Sequence, residues 1–334
     1  MRFTFDDEFA GVGGFRYAME AHGGECVCSS EWDKWARKTY SAFHGDDPLI
    51  SDAMLCPAKD RPKMDILCGG FPCPAFSISG ISIRNHLGRP SGFDDEGNGR
   101  QFFKLAEILM EKQPLMFLFE NVDNISHHDD GRTMKKIETA ISEVGYEARW
   151  ELVNARMWVP QNRNRFFMVG IRKDIFEEGA LESIFSNVTL PSSPLLFSDI
   201  LVDEHDPKYI LKDGTWNCLK KHRETHEARG NGFGYTMVRP PFEEVVARTL
   251  LSRYHKDGRE CLVWRGDGEN PRRLTPLECF RLQGFPREAL EWFDGTKPQP
   301  VSDLQAYRQA GNSVCVPLVR ELARNMVAFL EGIS

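Results

Sequence analysis

The apolar-rich run Phe3–Phe9 stops in a glycine turn, Ala10-Gly11-Val12-Gly13-Gly14, and helix-spaced apolar residues follow over Phe15–Ala21. That unit recurs down the first half of the chain. Glu25–Glu31 reads as a strand and Lys34–Phe43 as a helix, and Met64–Cys68 is a strand closing in Gly69-Gly70. Phe102–Glu111 is a helix, Leu115–Phe119 a buried strand, Met134–Val144 a helix, and Glu147–Val153 and Phe166–Ile171 two more strands. Apolar strands alternating with helices predict an α/β fold, a doubly wound, mostly parallel sheet. After Ile171 the pattern breaks. Residues 190–245 hold five prolines (Pro191, Pro194, Pro207, Pro240, Pro241) and the stretch Gly230-Asn231-Gly232-Phe233-Gly234-Tyr235, with no clean helical period. Residues 1–180 and 272–334 are therefore expected to form the main domain, and 181–271 a smaller, irregular or β-rich one. Leu318, Leu322, Met326, Val327 and Leu330 share one helical face, which is expected to pack back on the main domain.

Composition narrows the function classes. With 334 residues, 41% of them hydrophobic, the chain can build a sizeable core, which excludes a wholly disordered protein. No apolar run approaches the ~18–20 residues that span a bilayer, and MRFTFDDEFAG lacks the basic-then-apolar form of a secretory signal. A cytoplasmic protein with no membrane partner is expected. The net charge is −7, so contact with nucleic acid has to be local rather than global. Residues 219–260 carry nine Lys and Arg against six Asp and Glu, whereas the first sixty residues carry six against eleven. The nine cysteines are irregularly spaced with no C-x-x-C, which argues for reduced thiols and against a disulfide framework or a structural metal.

Four local constellations could carry chemistry. In Phe9-Ala10-Gly11-Val12-Gly13-Gly14, glycines let the backbone approach a ligand at the carboxyl edge of the sheet. Glu31, about 20 residues on, suits a ribose hydroxyl pair, and Trp32 offers a flat face to a base. Together they point to a nucleoside-containing cofactor without saying which; a tight turn followed by a surface acid is the plain alternative. Cys73, in Gly70-Phe71-Pro72-Cys73-Pro74, is either a buried structural thiol or a nucleophile held still by its prolines. Glu120 closes an apolar strand and falls at the same edge, as a site carboxylate or a solvated one. Arg163 and Arg165, two residues apart in an extended segment, should point the same way and could hold an anion, a base carbonyl or a carboxylate, or simply be solvated.

The order of these blocks is more specific than any one of them. FAGVGGFR (9–16), EWD (31–33), Asp52, GFPCPAFS (70–77), ENV (120–122), QNRNR (161–165), RRLTPLECFRLQGFP (272–286) and AYRQAGNSV (306–314) follow one another along nearly the whole chain. In this the chain resembles the DNA (cytosine-5)-methyltransferases. The resemblance implies an S-adenosylmethionine-dependent methyltransferase domain, a small target-recognition domain, and double-stranded DNA as substrate. S-adenosyl-L-methionine is then the implied cofactor, with Phe9 and Trp32 flanking its adenine, Glu31 on the ribose, Asp52 on the adenine amine, and Gly11, Gly13, Pro72, Asn312 and Ser313 lining the rest. Cys73 is the implied nucleophile, which adds to C6 of a cytosine flipped out of the duplex so that C5 can take the methyl group. Glu120 and Arg165 would hold the base, and Arg163 would orient Glu120 or Cys73.

Residues 228–235 and 247–258 look like stretches of bacterial methylases that act on CCWGG or CCNGG. Arg229, Arg248, Thr249 and Arg253, with Ser77, are the DNA-binding candidates. The resemblance also brings a cognate restriction endonuclease as a candidate partner and a monomeric enzyme as the expected state. One departure stands out: Asp6 and Glu8 occupy first-strand positions that are usually apolar in this family. A buried unpaired carboxylate is costly, so a catalytically weak or inactive DNA-binding pseudo-methyltransferase is the alternative reading. A branch of the family that acts on transfer RNA is the third, against which the long segment 172–271, with its arginines near Thr249-Leu250, argues for duplex DNA.

Overall fold

The computed structural model describes residues 2–71, 100–177, 179, 181–203, 206–230 and 234–332. Seven strands occupy the first half: β1 (Phe3–Glu8), β2 (Gly24–Ser29), β3 (Ile66–Gly70), β4 (Met116–Val122), β5 (Tyr146–Asn154), β6 (Gln161–Asn162) and β7 (Asn164–Arg172). All but β6 build a six-stranded sheet in the order β2-β1-β3-β4-β7-β5. β1 runs parallel to β2 and β3, β3 runs parallel to β4, and β7 is antiparallel to β4. The expected α/β, mostly parallel sheet is present, with its strands ending within a few residues of the predicted positions.

Helices α1 (Gly14–Glu20), α2 (Lys34–His44), α3 (Arg100–Lys112) and α4 (Arg132–Glu143) connect these strands. Their ends are set by local chemistry. Asp33 caps α2 by accepting from the Trp35 and Ala36 N–H groups, and Gly45 ends it in the left-handed region at φ 79°. α3 and α4 cover one sheet face through Phe102, Leu105, Ile108, Ile137 and Ile141, which pack on Leu67, Phe117 and Phe119. The C-terminal helix (Val316–Glu331) buries Leu318, Leu322, Met326, Val327 and Leu330, the face expected from the sequence. It is tied to the first unit by the Asn325 side-chain amide, which donates to Ile184 O at 2.8 Å, and by contact of Phe329 with Phe176.

Two compact units emerge, 1–153 with 164–189 and 318–334, and 154–163 with 190–317. Residues 272–317 thus belong to the second unit, where the sequence reading had grouped them with the first. The second unit holds a parallel pair of β6 with β9 (Ala247–Arg248) and a three-stranded sheet of β8 (Met237–Val238), β10 (Leu262–Val263) and β11 (Arg272–Arg273). It also holds α5 (Asp213–Glu227), α6 (Pro276–Leu282) and α7 (Asp303–Asn312). The 15-residue α5 stands in a segment that the sequence marks as irregular or β-rich, with no clean helical period. Its surface is polar nearly all round. Only Leu219 is buried, with Trp216 packed beside Leu211 and Leu262, so there is no apolar stripe for a period to reveal. Among the described residues no helix is long and apolar enough to cross a membrane.

Leu118 is wholly buried in β4, between Cys68 of β3 and Val169 of β7. Leu118→Ala should lower stability by about 2–5 kcal/mol, read as a lower urea midpoint with an unchanged slope.

Candidate active site

β1 ends at Glu8, and Phe9 turns with φ 57°, a strained value for a residue with a side chain. The turn is stitched to the end of β2: Phe9 N–H donates to Ser30 Oγ at 3.2 Å and Ala10 N–H to Ser30 O at 2.8 Å. Glu31 comes next and holds two backbone groups at once. Its Oε2 accepts from Gly11 N–H at 2.8 Å and its Oε1 from Asp33 N–H at 2.7 Å. Burial raises the Glu31 pKa, while the Asp33 and Gly11 N–H groups oppose the shift. An ionised carboxylate has about four acceptor positions, so Glu31 can keep these two bonds and still accept a hydroxyl pair.

The segment leading to Asp52 is placed by main-chain bonds, Ile50 N–H to Ser29 O at 3.0 Å and Glu31 N–H to Ile50 O at 3.1 Å. Asp52 Oδ1 accepts from Met54 N–H at 2.9 Å. Trp32 is 78% exposed, far beyond what packing alone would leave to an indole.

Gly13 could be no other residue. Its φ is +80°, and a Cβ would overlap the His44 ring, whose Nε2 donates to Val12 O at 3.3 Å. Burial, helped by the Arg16 charge, pushes His44 down to about 3, so the ring is neutral and its one proton sits on Nε2. By contrast, the space beside Gly11 is open, with nothing within 4 Å of where a Cβ would stand. A bare backbone edge, an anchored acid and an exposed indole are what a nucleoside-bearing cofactor needs, so these residues fit one.

The second cluster lies at the same carboxyl edge. Gly70 ends β3 opposite Glu120 of β4, and Glu120 Oε2 is 3.7 Å from where a Gly70 Cβ would stand. Glu120 Oε1 is paired with Arg165 Nε at 3.0 Å, both side chains being largely buried. The β4–β7 register sets Arg165 opposite Val122 and thereby fixes the pair. Pro72, Cys73 and Ser77 lie outside the described residues.

Arg163 takes different partners, against the expectation that the two arginines share a direction. Residue 163 falls between β6 and β7 and belongs to neither, so strand alternation does not govern it. Buried in the second unit, its guanidinium donates to Leu250 O at 3.0 Å, Gly311 O at 3.2 Å and Ser313 O at 2.6 Å. It thus fixes the turn that carries the exposed Asn312 and the partly buried Ser313. That turn also requires Gly311, since a Cβ there would collide with the Leu251–Ser252 backbone.

Arg248 and Thr249 are placed by the β6–β9 pair, and Thr249 Oγ1 donates to Asn162 O at 2.7 Å. Arg248 is exposed and touches Gly234 O at 3.4 Å; Arg229 and Arg253 are exposed as well.

Sequence reasoning missed several buried organisers. Gln161 accepts from Leu250 N–H at 2.8 Å and donates to Leu282 O at 3.2 Å; Gln283 donates to Ala310 O at 2.8 Å. Both lie in blocks that the sequence singles out, but nothing in a glutamine announces a cross-link. Arg61 is the largest omission. Its guanidinium is buried against Asp6 and Glu8, at 3.2 Å from Asp6 Oδ2 and in a two-pronged contact with Glu8. The one signal was the excess of acid in β1, which demanded a cation from somewhere.

The chain belongs to the C-5 cytosine-specific DNA methylase family, which it matches over residues 3–328. It is therefore a DNA (cytosine-5) methyltransferase. It is 37% identical to a DNA-cytosine methyltransferase of Escherichia coli K12, over 96% of this chain and 77% of that protein. It is 39% identical to the type II methyltransferase M.SsoII of Shigella sonnei, over 99% of this chain and 82% of that protein. Among solved structures, Dnmt2 of S. pombe superposes over the full length of both chains with a TM-score of 0.72 at 19% identity, a likeness of fold.

Gly13→Ala, confirmed as folded by its melting curve, should displace the His44 ring and lose most of its affinity for the methyl donor. Calorimetric titration of donor into both proteins checks this, and equal affinities would remove the loop from the site.

Proposed function

We propose that the chain methylates a specific sequence in duplex DNA, with S-adenosyl-L-methionine as donor and Cys73 as nucleophile. The supporting observation is the convergence at one sheet edge of the Gly11–Glu31 cradle and the Glu120–Arg165 pair. Phe9, Trp32, Glu31 and Asp52 would hold the nucleoside part, with Gly11, Gly13, Pro72, Asn312 and Ser313 lining the remainder. When bound, the cofactor supplies an electrophilic methyl group.

The chain's own residues prepare the cytosine. Carbon 5 of an aromatic ring is a poor nucleophile, so Cys73 thiolate would add to C6, forming an S–C6 bond and shifting electron density toward C5 and N3. Glu120 would hold N3 and the exocyclic amine, and Arg165, fixed against Glu120, would bind the O2 oxygen. Once C5 is methylated, a base such as a water molecule would take the C5 proton, the C–H electrons re-forming the C5–C6 double bond as the S–C6 bond breaks and releases the Cys73 thiolate. Arg163 acts at a distance as a positioning residue for the Asn312–Ser313 turn. The base must leave the duplex to reach these groups.

Arg229, Arg248, Thr249, Arg253 and Ser77 are the proposed DNA contacts, and CCWGG or CCNGG the proposed site. Several relatives carry type II methyltransferase names, M.SsoII among them. That supports a restriction–modification setting with a cognate endonuclease. A cytoplasmic monomer completes the reading.

Bisulfite sequencing of plasmid from a methylation-free host that expresses the chain tests both activity and site. Protection confined to one motif is expected; unprotected DNA from a soluble, folded protein would overturn the reading. Cys73→Ser should abolish protection while sparing DNA binding, and appreciable methylation by that variant would remove Cys73 as nucleophile. Arg248→Ala should cost about 1–3 kcal/mol of discrimination if it reads a base edge, measured as relative kcat/KM on cognate and single-mismatch duplexes. Equal ratios would assign it another role.

A further inference from the structure

Asp6, Asp7 and Glu8 close the strand β1, which lies between two neighbours, and all three are fully buried. Period-two alternation puts Asp6 and Glu8 on one face and Asp7 on the other. On the first face the carboxylate oxygens of Asp6 and Glu8 lie close to Cys28 Sγ, within 4.8 Å of one another, an arrangement that would also suit a cation. The Arg61 guanidinium fills that place. Its Nη1 meets Asp6, Glu8 and, at 3.9 Å, Cys28 Sγ, and its Nη2 reaches Glu8 Oε2 at 3.1 Å and Ala53 O at 3.5 Å.

The contacts continue toward the ligand edge. Ser30 Oγ donates to Glu8 Oε2 at 2.8 Å and accepts from Phe9 N–H at 3.2 Å. Ser30 O accepts from Ala10 N–H, and the next residue is Glu31, which holds Gly11. One unbroken chain of bonds therefore runs from Arg61 through Glu8 and Ser30 to the strained Phe9 turn. A second branch, through Ala53 O, reaches the residue next to Asp52.

We propose that Arg61 is a positioning residue for the methyl donor: it holds Glu8 so that Ser30 fixes the Phe9–Gly11 turn, and it steadies the Asp52 segment from the other side. This rests on the reading that S-adenosyl-L-methionine binds at this edge. Arg61 itself is buried beneath the edge and acts through Glu8 and Ser30. Burial, with the Glu8 charge adding to it, raises the Asp6 pKa, while the Arg61 charge opposes the shift.

Three variants separate positioning from plain structural support. Ser30→Ala cuts the link from Glu8 to Phe9 but leaves the Arg61 ion pairs in place. It should melt within a few degrees of the wild type, yet raise the donor KM about tenfold, which corresponds to about 1.4 kcal/mol, with kcat and the DNA KM little changed. Arg61→Met should raise the donor KM further, and Arg61→Lys should recover part of the loss. If Arg61→Met fails to fold, Ser30→Ala and Arg61→Lys still decide. An unchanged donor KM in folded Ser30→Ala and Arg61→Lys overturns the proposal and leaves Arg61 a structural counter-ion. A loss of kcat and DNA affinity in parallel with donor affinity overturns it too, since that is general disruption. Titration of S-adenosyl-L-methionine into the wild type is the control: absence of binding there overturns the cofactor reading itself, and this inference with it, whereas wild-type binding that the variants keep undamaged overturns this inference alone.

Discussion

Burial and charge conflict most sharply at the end of β1, and the Arg61 guanidinium is what lets them coexist. A central parallel strand has no exposed face on which to place an acid. Stripping water from an unpaired carboxylate costs several kcal/mol, and β1 brings Asp6 and Glu8 to one such face. The charge-assisted bonds from Arg61 satisfy Glu8 and reach Asp6. From Glu8 the bonds run on through Ser30 to the Phe9 turn, and from Arg61 to Ala53 O, next to Asp52. The pseudoenzyme reading drew its force from these acids, and Arg61 supplies a partner for both Glu8 oxygens and for one oxygen of Asp6.

Several blocks that read as functional are partly scaffolding. In residues 272–286, Thr275 caps α6 with Glu278 answering in a capping box, and Glu278 is gripped at both oxygens by Arg272 at 2.8 Å. Tyr307, in the block 306–314, donates to Leu274 O at 2.7 Å and so joins the two blocks within the second unit. Arg163 also has a structural part, since three backbone carbonyls accept from its guanidinium. Arg165 differs in kind because its partner, Glu120, is itself a candidate for contact with the base. Two arginines separated by one residue thus take different partners because the strand starts between them.

The strand–helix alternation of the first half was legible because the central runs, those of β1, β3 and β4, are short, buried and closed by a glycine or an acid. The candidate edge was legible for the same reason: Gly11, Glu31 and Glu120 lie at or just past strand ends, and a parallel sheet gathers strand ends. What stayed hidden depends on distance along the chain. Arg61 is more than fifty residues from Glu8, in a loop with no periodic signal, and only folding brings them together. α5 was missed because it buries so little. Gln161 and Gln283 were seen as motif letters and not as cross-links, since a glutamine's partners are backbone carbonyls and amides that no sequence pattern marks.

Glu31 holds two backbone N–H groups before any ligand arrives. Its carboxylate is therefore already desolvated, oriented and immobilised in the free protein. A ligand hydroxyl pair bound as proposed would meet acceptors that need no reordering, so little of its binding free energy would be lost to rotamer entropy. The same anchoring has a kinetic side: a ligand at Glu31 would meet the carboxylate in the geometry it already has, with no swing of that side chain from solvent.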